Sequence, residues 1–104
     1  MTPQELEADG WKEYRDYLYP SRRLFAKRFD DTPTLCNHNQ KLSVHVYLYA
    51  SGGIEVDITA EMPNEDWVKF QVYGMPIPES IDRLNTHVIP RLLAAWEAAA
   101  TYTP

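Results

Sequence analysis

The chain has 104 residues, 10 Lys and Arg against 15 Asp and Glu, and one cysteine, Cys36. That length is one domain, and the acidic balance argues against nonspecific binding to nucleic acid or anionic lipid. A 44% hydrophobic and 12% aromatic content excludes a disordered chain. The lone cysteine excludes an internal disulfide and fits a reducing compartment. With no basic stretch leading into an apolar run, the expectation is a cytoplasmic protein with no membrane partner.

Thr2-Pro3-Gln4-Glu5 predicts a helix start, with Thr2 as cap, Pro3 in the first turn and Glu5 as the capping-box partner; Gly10 is the stop. So short a helix does not persist alone, and Leu6 must dock. Trp11 to Tyr19 mixes Trp and Tyr with Lys12, Glu13, Arg15 and Asp16. Trp11, Tyr14 and Leu18 are spaced for a helix, but Trp11 to Tyr14 after a glycine is read as a short edge strand. After Pro20-Ser21, Arg22 to Phe29 fits a strand or a short helix and is read as a strand, its cations guarding an edge against foreign pairing. Asp30 to Lys41 is a polar loop.

From Leu42 to Met62 two alternations meet across a glycine turn. Leu42, Val44, Val46, Leu48 and Ala50 alternate with Ser43, His45, Tyr47 and Tyr49; Ile54, Val56, Ile58, Ala60 and Met62 alternate with Glu55, Asp57, Thr59 and Glu61. This is the pattern of two half-buried strands. Residues facing each other across an antiparallel pair share a side of the sheet, so apolar must meet apolar. Parity rejects a two-residue loop, which would set Leu48 against Glu55. A three-residue loop, Ser51-Gly52-Gly53, puts Ala50 opposite Ile54, Tyr49 opposite Glu55, Tyr47 opposite Asp57 and His45 opposite Thr59.

A turn at residues 63–66 leads to a further strand, Trp67 to Tyr73. Parity sets Met62 opposite Val68, Ala60 opposite Phe70 and Glu61 opposite Lys69 as a charge pair. Pro76 and Pro78 end that strand, and Pro78-Glu79 opens the last helix. At about 100° per residue, Ile81, Leu84, Val88, Leu92, Ala95 and Ala99 form a stripe flanked by Ile89 and Trp96, with Pro90 on the opposite side. The stripe runs through the proline, which predicts one helix kinked at Pro90, from Pro78 to Ala100, with residues 101–104 fraying.

The fold class that follows is α+β: an antiparallel meander of four or five strands, covered on one face by the kinked helix, with a short N-terminal helix.

Chemistry-bearing groups are sparse. Cys36 and His38 are too few for a zinc site, and neither His45 nor His87 has motif spacing to them. Cys36 with a histidine lacks the signature of a nucleophilic enzyme. Asp57 with Glu55 or Glu61 offers carboxylates on one strand face, which also suits solvated charge. Gly52-Gly53 opens no helix and cradles no phosphate. No metal or other cofactor is expected.

The most informative surface is the sheet face away from the helix, gathering His45, Tyr47, Tyr49, Glu55, Asp57, Thr59, Trp67, Lys69, Gln71 and Tyr73. Aromatics among charges suit a protein partner or a second copy. An aromatic sheet is also a platform for single-stranded nucleic acid, but Glu55, Asp57 and Glu61 would repel a polyanion. The leading expectation is a non-enzymatic binding protein. The alternative is a small-molecule binder or minor enzyme with a pocket by the 30–41 loop.

The order of elements, with a short helix ending at Leu6 to Gly10, Trp11 to Tyr14, Phe25-Ala26-Lys27, three alternating strands and a long last helix, loosely resembles small phage and prophage proteins. That resemblance implies an accessory or regulatory protein acting by binding, for instance on a host factor.

Overall fold

The computed structural model describes residues 1–29, 41–61, 67–72 and 74–100. Cys36, His38, Met62, Tyr73 and the 101–104 tail lie outside them.

The first element is α1 (Pro3–Ala8), capped by the Thr2 hydroxyl, which accepts the Glu5 N–H at 3.2 Å. Gly10, at φ +94°, closes the other end: its N–H reaches the Glu7 carbonyl at 3.1 Å, and the Trp11 N–H reaches the Leu6 carbonyl at 3.0 Å. In this closure the residue after the glycine packs against the helix residue whose carbonyl it satisfies. Leu6 and Trp11 are accordingly both buried, which supplies the docking that so short a helix needs.

Five strands follow: β1 (Lys12–Tyr14), β2 (Arg22–Arg28), β3 (Lys41–Tyr49), β4 (Ile54–Glu61) and β5 (Trp67–Phe70). They pair antiparallel in chain order as one sheet. Short turns between sequence neighbours permit this arrangement and forbid parallel crossovers. Period-two alternation turns Phe25, Val44, Val46, Ile58 and Ala60 to one face, where the C-terminal helix and Leu6 and Trp11 complete the core. The architecture is the expected α+β meander under a helix. Among the described residues, no helix is long and apolar enough to cross a membrane.

Parity assigns the faces correctly, but both registers are displaced by two residues. In the central hairpin Leu48 faces Ile54, Tyr47 faces Glu55 and His45 faces Asp57. The Tyr49 N–H bonds the Gly53 carbonyl and the Gly52 N–H bonds the Tyr49 carbonyl, each at 2.9 Å, so the loop is Ala50-Ser51-Gly52. Gly52, at φ +94°, takes the left-handed position. Next to this turn the Ala50 N–H is donated to the Ser21 carbonyl at 2.9 Å, extending the β2–β3 ladder by one residue.

Across β4 and β5, Ala60 faces Val68, Ile58 faces Phe70 and Glu61 faces Trp67. The expected Glu61–Lys69 pair is therefore absent. Lys69 faces Thr59 and sends its ammonium to Asp57 Oδ2 at 3.0 Å. A buried carboxylate gains more from a cation than an exposed one does. β5 is also shorter than predicted, ending at Phe70.

β2 is not an edge strand: β1 pairs with its residues 24–26, and the cations Arg22, Arg23, Lys27 and Arg28 flank that pairing. Arg23 makes a bidentate pair with Glu13 at 2.7 and 2.8 Å, and the Lys27 ammonium donates to the Asp9 carbonyl at 2.8 Å.

The last helix, α2, is continuous in three parts: an α turn (Ile81–Arg83), a π turn (Leu84–Val88) and an α-helix (Ile89–Ala100). It starts at Ile81 and not at Pro78, because Ser80 Oγ caps it by accepting the Arg83 N–H at 3.1 Å. Pro78 is buried in the extended lead-in. The irregularity expected at Pro90 takes the form of the π turn just before it, closed by the Ile89 N–H on the Leu84 carbonyl. Proline has no N–H and its ring crowds the carbonyl four residues back; a wider turn relieves both demands. The Asp82 carbonyl takes the Thr86 hydroxyl at 2.7 Å. The extra residue lengthens the local period, so Leu84, Val88, Leu92 and Trp96 bury at intervals of four. Trp96 belongs to that stripe, edge-on to Phe70 at 6.2 Å, whereas Ile81 is half-buried and Ala99 exposed.

Candidate functional site: the outer face of the sheet

Because a shift of two preserves parity, the polar residues predicted to share the outer face do share it. β3 contributes His45, Tyr47 and Tyr49; β4 contributes Glu55, Asp57 and Thr59; β5 contributes Trp67 and Lys69; Gln71 follows β5. β2 adds Arg22, Leu24 and Ala26, opposite Tyr49, Tyr47 and His45. β1 adds Tyr14, opposite Leu24.

One end of the face is a closed network. The Arg22 guanidinium stacks between the rings of Tyr47 and Tyr19, 4.0 and 4.3 Å from their centroids. It donates to Asp16, to the Tyr49 hydroxyl at 3.1 Å and to Glu55 at 3.4 Å. Tyr49 donates to Glu55 Oε2 at 2.9 Å, and the Gln71 amide donates to Glu55 Oε1 at 2.6 Å. Lys69 lies 5.3 Å from the Tyr47 centroid, so that ring is approached by both cations. A planar guanidinium suits this place, since it can stack and donate in its plane at once.

Asp57 is the unusual member. It is 0% exposed, and neither carboxylate oxygen has a well-aligned hydrogen-bond donor; Lys69 approaches as an ion pair off the hydrogen-bond axis. Burial pushes the Asp57 carboxyl above its ordinary range, with Lys69 opposing and the nearby Glu55 adding to the rise. Burial, reinforced by the Asp57 charge, pushes the Tyr47 hydroxyl up to about 12. His45 is held below its ordinary value by burial and by Lys69, which favours the neutral ring. Its Nδ1 lies 3.3 Å from the Tyr47 hydroxyl and its Nε2 lies 3.2 Å from Thr59 Oγ1. For Asp16, burial acts upward but is outweighed by the Arg22 contact and the N–H groups of Leu18 and Tyr19, leaving the carboxyl below its ordinary range.

The other end is open. A depression of about 350 Å³ is lined by Tyr14, Leu24, Ala26, Arg28, Ser43, His45 and Trp67. Tyr14 and Trp67 remain 47% and 61% exposed, so both offer unburied aromatic area. A second depression, of about 570 Å³, opens at the hairpin end beside Met1, Pro20, Leu48 and Ile54. The cations on its wall, Arg22 and Arg23, are already paired.

The predicted residues thus divide. Tyr47, Asp57 and Thr59 are buried as internal structure, Tyr49, Glu55, Gln71 and Lys69 are tied into the network, and His45 and Trp67 line the open depression. Tyr73 lies outside the described residues. Sequence reasoning missed Arg22, Tyr14, Leu24 and Ala26. The signal was present, since alternation along 22–28 places Arg22, Leu24 and Ala26 on one face once that segment is known to be a strand. Among the described residues, no group of three or more His, Cys, Asp or Glu is placed to hold a metal ion. No protein-family model, curated protein or solved structure matches the chain.

Proposed function

We propose that this chain is a non-enzymatic binding protein whose outer sheet face engages another protein, with the depression between Tyr14 and Trp67 taking an apolar side chain of the partner. The observation that carries this reading is the pair of half-exposed aromatics flanking an apolar floor of Leu24 and Ala26. Rigid aromatic area beside a pocket is what binding anchors use, because it gives large contact at small entropic cost. The Arg22 and Asp57 network behind it supports the reading, since cross-linked side chains hold the face in one shape before the partner arrives. An accessory role of phage type, exerted on a host factor, is the biological setting this reading favours.

A small-molecule binder is the second reading, favoured by one observation. The depression has the size of a small ligand pocket, and Arg28 and Ser43 add polar groups to its lining.

The test is capture from host lysate by wild type, Trp67→Ala, Tyr14→Ala and Leu18→Ala. Under the protein-binding reading, the first two variants lose a partner that wild type and Leu18→Ala retain. Retention of the same proteins by all four sinks it. A chain that captures nothing, yet melts at a higher temperature with a metabolite, favours the second reading.

A further inference from the structure

The two edges of the sheet differ in how they are protected. β1 is only three residues long and carries Lys12 and Glu13. Charge and brevity of this kind discourage pairing with another chain. β5 is also short, at four residues, but its charge is no guard: it contains no proline, and its one cation, Lys69, is turned along the outer face to Asp57 at 3.0 Å and Glu55 at 3.8 Å. Its other exposed side chains are apolar, with Trp67 61% exposed on the outer face and Val68 43% exposed on the helix side.

The direction of the β5 backbone groups follows from the ladder. Tyr49 bonds toward Gly53 and Ala50 bonds toward Ser21, so odd residues of β3 face β4 and even residues face β2. The alternation carries across the sheet: odd residues of β4 face β3, even ones face β5, and Val68 and Phe70 turn their N–H and C=O groups to Ala60 and Ile58. Trp67 and Lys69 therefore present theirs to the side of β5 on which no strand of the described residues lies.

We infer that this edge pairs antiparallel with β5 of a second copy of the chain, about a two-fold axis at Val68, joining two sheets into one. Parity allows this register: Val68 meets Val68 of the other copy on the helix side, and Trp67 packs on the aliphatic stem of Lys69 from the other copy on the outer side. A second copy fits because the pairing is isologous and sets no unpaired like charges together, Lys69 being neutralised within its own chain. Four backbone hydrogen bonds, one Val68–Val68 contact and two Trp67–Lys69 contacts make a dissociable dimer. The surface is separate from the depression between Tyr14 and Trp67 on its Val68 side, so the two sites can be tested apart.

The experiment combines sedimentation equilibrium with residue-resolved amide exchange at micromolar and millimolar protein. The expected result is a mass that doubles with concentration, while the Trp67 and Lys69 amides slow and those of Val68 and Phe70, already bonded within the monomer, do not respond. Val68→Lys abolishes both changes without affecting capture through Tyr14. Should Val68→Lys misfold, Trp67→Pro removes one outward N–H at the first strand position, where proline is tolerated, and it too must abolish dimerisation. A monomer at millimolar concentration overturns the inference. So does a dimer whose Trp67 and Lys69 amides exchange as in the monomer, or one that survives these substitutions.

Discussion

Asp57 concentrates the cost of this face in one side chain. Burial disfavours the charged form of this carboxylate relative to the unfolded chain by more than its ion-pair partner Lys69 restores, so its folded pKa stands above the unfolded value. The sign follows from proton linkage: a raised pKa contributes stability that is present below the ordinary carboxylate pKa, about 3.9, and lost as pH rises through the folded value. Asp57→Asn cannot titrate, so its stability relative to wild type should be more favourable at pH 7 than at pH 4. Urea denaturation at the two pH values measures this. A difference that does not change, or changes the other way, would show that Lys69 fully compensates the charge. His45 acts oppositely, being held neutral by burial, so its contribution is present above its ordinary pKa and lost as pH falls through the lowered folded one.

At the scale of elements, one turn and one helix each have a feature that a substitution can interrogate. In the hairpin, Gly52 holds the left-handed conformation and Gly53 does not. A Cβ at Gly52 meets nothing within 4 Å, so any penalty there is backbone strain alone. Gly52→Ala should cost about 1 to 2 kcal/mol. Gly53→Ala, whose Cβ would make only an ordinary contact with Tyr49 at 3.7 Å, should be neutral or stabilise by up to about 1 kcal/mol. Thermal melts of the two variants rank them; the reverse order would restore the loop at Ser51-Gly52-Gly53. In α2, Pro90 is exposed and the π turn already accommodates it. Pro90→Ala should therefore leave stability level or raise it, read by chemical denaturation. Unfolding of that variant would mean that the proline enforces the period-four stripe.

For the molecule as a whole, one core joins the inner face of the sheet, α1 with Trp11, and α2, and Leu92 lies wholly inside it. Removing that side chain leaves a void bounded by elements from both ends of the chain. Leu92→Ala should cost about 2 to 5 kcal/mol, and fluorescence and circular dichroism should report one coincident transition. Asp9 ties the same parts together on the surface, accepting from the Trp11 indole at 3.0 Å and from the Asn85 amide at 3.1 Å. Its carboxyl sits below its ordinary range: burial opposes this, but those donors and Lys27 outweigh it. The corresponding stability is present above the unfolded carboxylate pKa and lost as pH falls through the lowered one.

Alternation and capping are local properties, and they were enough to determine the α+β class, which residues of β3, β4 and β5 share a face, the start and stop of α1, and the apolar stripe of α2. Strand register is not local. Shifts of two residues leave every side chain on its own face, so the hydrophobic pattern cannot tell them apart; the backbone bonds of Tyr49 with Gly52 and Gly53 close the central hairpin in one of them, and the β4–β5 register that forms lets Lys69 reach buried Asp57. The same holds for the outer face. Pattern located its residues, but whether each is exposed depended on what packs across it, and Arg22 between Tyr47 and Tyr19 helped to turn half of a predicted binding surface into internal structure. What stayed open to a partner, Tyr14 and Trp67, lies on the first and last strands, brought to one depression by the tertiary structure because no pairing rule links strands that are not neighbours.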